Sequence, residues 1–389
     1  MMTKDRIYLD YSATTPVDPR VFETMLPYFS QEFGNPSSIH YFGQIAEGAM
    51  EEARQKIASI LHCVPEELIF TSCGSESDNL ALRGVALAAR QQRDANHILI
   101  SPVEHHAVSH TALQLAKLYG FEVEFLRVDR NGMVDPQEVA NHLRANTALV
   151  SIIYANNEIG TINPISEIGS ICRNAGIPLH SDAVQAPAYC SMDVQALKLD
   201  LVSIGAHKFY GPKGVGALYV RQGTPIVPIQ TGGGQEHGLR AGTSNIPYIV
   251  GMAKALELSQ QERSERTANL LVLRDHLINE ILRTVDDSQL TGHPSKRLPN
   301  HASFVFKHVD GNVLLMLLDV NGIACSSGSA CKTGDPEPSE VLIALGLDRE
   351  WALGSLRVSM GATTQGEHID TLLSVLPEQV NRARKLTVK

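Results

Sequence analysis

A lysine and an aspartate each follow a short apolar run that is typical of a buried strand. Lys208 comes after the run from Leu201 to Ile204, in a turn rich in Gly and Pro. Asp182 follows the run from Ile177 to Ser181. Ligands of parallel sheets bind at the carboxyl ends of the strands. There a lysine amine can form a Schiff base with an aldehyde, and a carboxylate can keep a pyridinium nitrogen protonated. The pair indicates a site for pyridoxal 5'-phosphate (PLP), although Lys208 alone would be interpreted as a solvated loop residue.

The phosphate of such a cofactor needs hydrogen-bond donors, and a Gly/Ser turn offers them. The apolar run from Leu68 to Thr71 is followed by Gly74, Ser75 and then a helical segment. Glycine permits close approach of the backbone, and a helix N-terminus presents unpaired N–H groups to an anion. The alternative is an ordinary serine N-cap.

His105 follows another strand-like run, from His97 to Ser101, so its imidazole could lie on a flat cofactor ring. A metal site is the alternative for this stretch, because His106 and His110 are four residues apart and Glu104 adjoins them. Neither an HExxH motif nor a cysteine spacing typical of zinc accompanies these residues. We therefore predict no metal site.

The segment from Ile323 to Pro336 offers a nucleophile, Cys331. Small residues surround Cys331, and Pro336 and Pro338 prevent helix until Ser339, which predicts an exposed loop. Reactive thiols occupy accessible, often cation-flanked places, and Lys332 is adjacent. Cys325 ends an apolar run and is the better candidate for a buried, inert thiol.

Arg357 lies in a segment, Gly354 to Met360, whose side chains alternate with period two. This pattern predicts a strand with Arg357 on its polar face. An arginine fork there could bind a carboxylate bidentately. A surface ion pair is the alternative.

Alternating strands and helices position these residues. Seven strand-like runs alternate with helix-length segments in the first two-thirds of the chain, which predicts a mainly parallel sheet covered on both faces. Their bounds are Leu68 to Thr71, His97 to Ser101, Glu122 to Val128, Ala148 to Tyr154, Ile177 to Ser181, Leu201 to Ile204 and Gly216 to Val220. A long helical connector, roughly Ala255 to Arg283, leads into a second unit with strands at Ala302 to Phe306 and Leu356 to Met360.

Length and composition limit the class of protein. The chain has 389 residues, too many for one ordinary core, and we predict a large domain over residues 15–255 and a smaller α+β domain over 256–389 with 1–14. The net charge of −9 and the absence of Lys/Arg blocks make direct nucleic-acid binding unexpected. The sequence contains no apolar stretch long enough for a membrane span or a secretory signal, so we expect a cytoplasmic protein.

Several motifs together resemble one family. The chain resembles the PLP-dependent cysteine desulfurases of iron–sulfur cluster assembly, in the class V aminotransferase group of fold type I. The resemblance covers nearly the whole chain. The motifs that carry it are Tyr8 to Pro16, Gly34 to Ser38, Asn156 to Gly160, Ala206-His207-Lys208 and Ser326 to Cys331.

The resemblance implies a role for each matching residue. Lys208 would form the Schiff base, Asp182 would pair with the pyridinium nitrogen, Gln185 would hydrogen-bond the ring hydroxyl, and His105 would stack on the ring as an acid/base. Gly74, Ser75 and His207 would bind the phosphate, together with Thr243 from the other subunit of a homodimer. Asn157 and Arg357 would bind the substrate carboxylate. Cys331 would carry a persulfide and would be a candidate for transient cluster ligation. One position departs from the family, because Gly205 stands where a hydroxyl residue often helps to hold the phosphate.

The implied reaction converts L-cysteine to L-alanine and passes sulfur to an acceptor such as an iron–sulfur scaffold, or to tRNA or thio-cofactor synthesis. Selenocysteine lysis, or another reaction of the class V PLP enzymes, is an alternative that would not require Cys331. A second alternative is a sulfur-delivery scaffold whose partner contacts matter more than its own turnover. A metal-binding protein built on His105, His106 and His110 is a third.

Overall fold

The computed structural model describes residues 6–328 and 337–387. In chain order the strands are β1 (Ile7–Tyr8), β2 (Leu68–Thr71), β3 (His97–Ile100), β4 (Glu122–Phe125), β5 (Thr147–Ser151), β6 (Leu179–Asp182), β7 (Leu201–Gly205), β8 (Gly216–Val220), β9 (Ser288–Thr291), β10 (His301–Phe306), β11 (Ile323–Ala324) and β12 (Ser355–Ser359). The helices are α1 (Pro19–Met25), α2 (Pro27–Ser30), α3 (Tyr41–Leu61), α4 (Gly74–Arg93), α5 (His106–Tyr119), α6 (Pro136–His142), α7 (Ile165–Ala175), α8 (Ile246–Gln261), α9 (Arg263–Thr284), α10 (Gly311–Val320), α11 (Glu340–Ala344), α12 (Arg349–Leu353) and α13 (Gly366–Thr387).

A central sheet of seven strands has the order β2-β8-β7-β6-β5-β3-β4. The strand β8 runs antiparallel to both of its neighbours, and the other pairs are parallel. Except in the edge strand β4, every residue of these strands is buried, as expected for a sheet covered by helices on both faces. The predicted seven-stranded, mainly parallel sheet is confirmed.

A separate, smaller sheet is antiparallel and has three strands in the order β12-β10-β9. Its apolar cluster includes residues of β10, β12, α9 and α13, and also Leu9 from the N-terminal segment. Leu9 therefore packs with the core of the smaller sheet, and the predicted domain boundaries stay a prediction.

The connector differs from the expectation of one helix from Ala255 to Arg283. The structure has two helices, α8 and α9, which meet at Glu262. They pack on different partners, because α8 contacts α1 and α3 whereas α9 contacts α13. The break lets each helix bury its apolar side against a different core. Within the described ranges, no helix has the length and apolar composition that a bilayer span requires.

Candidate active site

A cavity of about 220 Å³ lies at the carboxyl ends of the central strands. Its wall contains most of the predicted site residues, namely Gly74, Ser75, His105, Asn157, Asp182, Gln185, His207 and Lys208. These residues come from the segments that follow β2, β3, β5, β6 and β7, so the sheet brings together side chains that are far apart in sequence. This is the edge at which such sheets bind ligands.

Lys208 ends a short 3₁₀ turn that follows β7, and its side chain is half-buried. Its Nζ donates hydrogen bonds to the carbonyl oxygens of Ser12 at 2.6 Å and Ala13 at 2.7 Å. Burial and the nearby Arg357 lower the pKa of Lys208 to about 8, against the opposing effect of Asp10 and Asp182. A neutral, nucleophilic amine is therefore accessible close to neutral pH, as a Schiff-base lysine requires.

Asp182 is the last residue of β6 and is only 5% exposed. Its Oδ1 accepts a hydrogen bond from the Val184 backbone N–H at 2.9 Å. Burial raises the pKa of Asp182, and the charges of His105 and Lys208 oppose this rise. A protonated pyridinium nitrogen would supply this buried carboxylate with a counter-charge. The residues present thus fit the ring of PLP.

The part of the cavity wall at the start of α4 fits the phosphate. The helix α4 begins at Gly74, and a Cβ at this position would lie only 2.5 Å from Val184 Cγ2. A Cβ on Gly205 would lie 3.3 Å from the Gly74 nitrogen, so the two glycines bring the start of α4 against the end of β7. Ser75, in the first turn, is exposed at the cavity. Unpaired N–H groups of a first helical turn bind phosphate well.

His207 and His105 both lie at the cavity as neutral imidazoles near pH 7. Burial, together with Lys208 and Lys213, lowers the pKa of His207 to about 4, so His207 can only hydrogen-bond a phosphate. His105 caps α5, because its Nδ1 accepts a hydrogen bond from the Ala107 backbone N–H at 3.1 Å. Burial lowers the pKa of His105, and Asp182 opposes this. We infer from the cap that the proton of His105 resides on Nε2.

Arg357 occupies an unexpected environment. The structure buries all of β12, and Arg357 is 6% exposed, so the alternative of a surface ion pair is wrong. Its Nη2 pairs with Asp10 Oδ1 at 2.8 Å, and its Nη1 donates to the Asn157 carbonyl oxygen at 3.1 Å. Its Nε is buried without a hydrogen-bond partner. Arg357 thus lies behind the cavity wall, next to Asn157, with its Nε unpartnered.

Gln185 completes the predicted residues of the cavity wall, whereas Thr243 is not among the wall residues. Gln185 donates from Nε2 to the Ser12 carbonyl oxygen at 2.9 Å. Thr243 is exposed and is not part of the cavity wall within this single chain. Cys325 is half-buried instead of fully buried, and the loss of water around its sulfur raises the pKa of the thiol, as expected of an inert thiol. Cys331 lies outside the described residues.

Asp78 is a cavity residue that the sequence analysis missed. It lies on α4, is 1% exposed, and places Oδ1 3.6 Å from Nε2 of the buried His180. Burial raises the pKa of Asp78 well above its ordinary range, and Asp182 raises it further. Asp78 shares a helix face with the buried Leu82 and Val85. A carboxylate on such an apolar face is the sequence feature that could have identified Asp78 as a site residue.

The structure does not assemble the three-histidine metal site that was considered as an alternative. His105 faces the cavity, whereas His106 and His110 stack on each other with ring centroids 4.5 Å apart. Glu104 is buried, and its Oε1 accepts a hydrogen bond from the Ile153 N–H at 2.6 Å.

Comparison with known proteins identifies the family. Residues 7–372 match the family described as "Aminotransferase class-V". The chain is 47% identical over 384 residues to cysteine desulfurase IscS of Dictyoglomus turgidum, covering 99% of this chain and 97% of that protein. It is 48% identical to cysteine desulfurase IscS of Methanosarcina thermophila, covering 98% and 93%. A solved structure titled "NIFS-LIKE PROTEIN" superposes with a TM-score of 0.90 at 37% identity, covering 97% and 100% of the two chains.

The chain belongs to the class V aminotransferase family of PLP enzymes. The comparisons confirm the predicted fold, cofactor and enzyme class, that of the cysteine desulfurases.

Proposed function

We propose that this chain transfers the sulfur of L-cysteine to Cys331 and releases L-alanine, with PLP held by Lys208. The observation that carries the proposal is the meeting of the Lys208 amine, whose pKa is lowered to about 8, with the buried Asp182 in one cavity. When bound, PLP supplies an electron sink that lets the substrate Cα lose its proton.

The residues of the cavity divide into those that hold the cofactor and those that move protons. Asp182 would hold the ring nitrogen protonated, and Gln185 would bind the ring hydroxyl. Ser75, His207 and the N–H groups at the start of α4 would bind the phosphate. Lys208 would take the Cα proton on Nζ, since its lowered pKa suits a base near neutral pH. His105 would stack on the ring and exchange a proton at Nε2.

The sulfur transfer takes place between two thiols, that of Cys331 and that of the substrate. The Cys331 thiolate would attack the substrate sulfur, forming the new S–S bond while the substrate C–S bond breaks. The electron pair of that bond stays on the substrate carbon, which takes a proton and becomes the methyl group of alanine. The substrate sulfur remains on Cys331 as a persulfide, so no external oxidant or reductant is consumed.

Asn157 and Arg357 would bind the substrate carboxylate. Asn157 lies in the cavity wall, and Arg357 contacts the Asn157 carbonyl oxygen from behind. The Nε of Arg357 is buried without a hydrogen-bond partner, so it would donate to a substrate carboxylate once the wall at Asn157 shifts to expose it. Asp10 holds the other end of the guanidinium and so sets its orientation.

A homodimer is part of this proposal. Aromatic and aliphatic side chains around the start of α3 are exposed, including Phe33, Ile39, Tyr41 and Phe42, and Ile39 is 92% exposed. Phe33 and Phe42 stack with centroids 5.8 Å apart, so they form a continuous apolar patch. Such a patch is typical of a protein interface. Thr243 would contact the partner's cofactor phosphate across this interface.

We further propose a cytoplasmic protein that delivers its persulfide to an acceptor such as an iron–sulfur scaffold. Five cysteines within the described residues are unpaired, which suits a reducing compartment.

The test is an anaerobic assay of the purified holoenzyme with L-cysteine and a reductant. We expect alanine and sulfide in equal amounts from the wild type and neither from Cys331→Ser, with the cofactor absorbance of the variant unchanged. Turnover that survives in Cys331→Ser would contradict the role of Cys331 and favour a selenocysteine lyase or another PLP reaction. Slow turnover that rises sharply when an acceptor protein is added would support the alternative of a sulfur-delivery scaffold, whose partner contacts matter more than its own turnover.

A further inference from the structure

His106 and His110 are separated by one turn on the exposed side of α5. Their rings are almost parallel, with an interplanar angle of 7° and centroids 4.5 Å apart. The N-cap formed by His105 fixes the start of this helix, so the positions of both histidines follow from helical geometry. Two imidazoles at positions i and i+4 on a helix can chelate a divalent transition metal, as in zinc sites.

A third donor reaches the same place from a segment distant in sequence. Glu340 is the first residue of α11, and its Oε2 lies 4.0 Å from His106 Nε2. This separation is too long for a hydrogen bond, so the carboxylate and the imidazole are neighbours without being bonded. One nitrogen from each histidine and one oxygen of Glu340 all lie within 4.8 Å of one another.

We propose that His106, His110 and Glu340 form a site for a divalent transition metal of the zinc type, separate from the PLP cavity. In a tetrahedral zinc site with bonds of ~2.0–2.1 Å, ligand atoms are about 3.3 Å apart. All three residues are exposed, so small rotations of their side chains can bring the ligand atoms from within 4.8 Å of one another to the separation that zinc requires. Two imidazoles and one carboxylate leave the fourth position for water.

A metal at this site would link two segments that are distant in sequence, α5 and α11. Ser339 caps α11, and its hydroxyl donates a hydrogen bond to Glu158 next to Asn157. Glu340 follows Cys331 closely in the sequence. A bound metal would therefore join α5, which begins directly after His105, to the segment that leads away from the sulfur-carrying cysteine.

The experiment is calorimetric titration of the PLP-loaded enzyme with Zn²⁺, followed by X-ray absorption spectroscopy of the zinc. We expect one zinc ion per chain with only nitrogen and oxygen ligands at ~2.0–2.1 Å, whereas thiolate ligation would add sulfur at ~2.3 Å. His110→Ala and Glu340→Gln should each weaken binding at least ~10-fold, the lower limit observed for lost outer-shell partners of metal sites.

His276→Ala is the matched control, because His276 is an exposed helical histidine beside a carboxylate, Asp370, at 3.2 Å. It should bind zinc like the wild type. Retained cofactor absorbance and thermal stability will show that each variant is folded. Sulfur in the zinc shell, or an affinity unchanged in either His110→Ala or Glu340→Gln, would overturn the proposal.

Discussion

The Ser339 hydroxyl donates a hydrogen bond to the Glu158 carboxylate, which ties the cap of α11 to the loop that carries Asn157. A Cβ on Gly328 would lie 2.5 Å from Glu158 Oε2, so Glu158 also packs against the last described residue before the gap at 329–336. One carboxylate thus contacts Gly328, just before that gap, and Ser339, the third described residue after it.

This contact should depend on pH. Burial raises the pKa of Glu158 to about 7, although the Ser339 hydrogen bond and Arg357 lower it. Because the folded-state pKa lies above the unfolded value, its stabilising contribution is present at low pH and is lost as the pH rises through about 7. We expect the melting temperature of the wild type, relative to that of Glu158→Gln, to fall between the ordinary pKa of 4.5 and about pH 7 and to level off above that pH. Thermal unfolding across about pH 5 to 9 measures this difference, and parallel pH profiles of the two proteins would contradict it.

Two adjacent buried carboxylates should respond differently to the same substitution. Asp182→Asn removes the charge that would hold the pyridinium nitrogen protonated, and we expect alanine formation to fall by at least about 100-fold. Burial already favours the protonated, neutral form of Asp78, so Asp78→Asn should keep most of the activity. Steady-state rates of the two holoenzyme variants test this. Equal losses would show that Asp78 must also be ionised.

The sequence predicts the strands of the central sheet, but it does not predict several contacts of the site. Most strands of the central sheet are short, largely apolar runs between turn residues, and these runs predict strand positions directly. The break at Glu262 was not visible, because helical periodicity continues from α8 into α9 and only packing on two cores separates them. The pairing of Asp10 with Arg357 and the approach of Glu340 to His106 depend on how distant segments meet, which no local spacing reveals.

Arg357 should control binding of the substrate more than binding of the cofactor. Lysine cannot reproduce the planar fork that contacts Asp10 and the Asn157 carbonyl oxygen while leaving Nε for a carboxylate. We expect Arg357→Lys to raise the KM for L-cysteine at least about tenfold, the effect of losing one charge-assisted hydrogen bond. The absorbance of bound PLP should not change. A wild-type KM in this variant would assign carboxylate binding to other residues.

The buried ion pair between Arg54 and Glu236 should be important for stability. The side chains are 5% and 3% exposed, and two guanidinium nitrogens reach the two carboxylate oxygens at 3.0 Å each. Arg54 also donates to the Leu68 carbonyl oxygen, and Glu236 accepts from the Phe70 N–H, both in β2. Removing one partner leaves a buried charge without its counter-charge, which costs about 3–5 kcal/mol.

We therefore expect Glu236→Gln to lower the free energy of unfolding in urea by about that amount. Glu280→Gln is the control, since Glu280 pairs with Arg283 on an exposed helix surface and should change stability little. β2 leads into the turn before Gly74, so loosening of β2 should also weaken retention of PLP during dialysis. A Glu236→Gln protein with wild-type stability would mean that Arg54 finds other acceptors, such as Glu51 at 3.1 Å, once Glu236 is neutral.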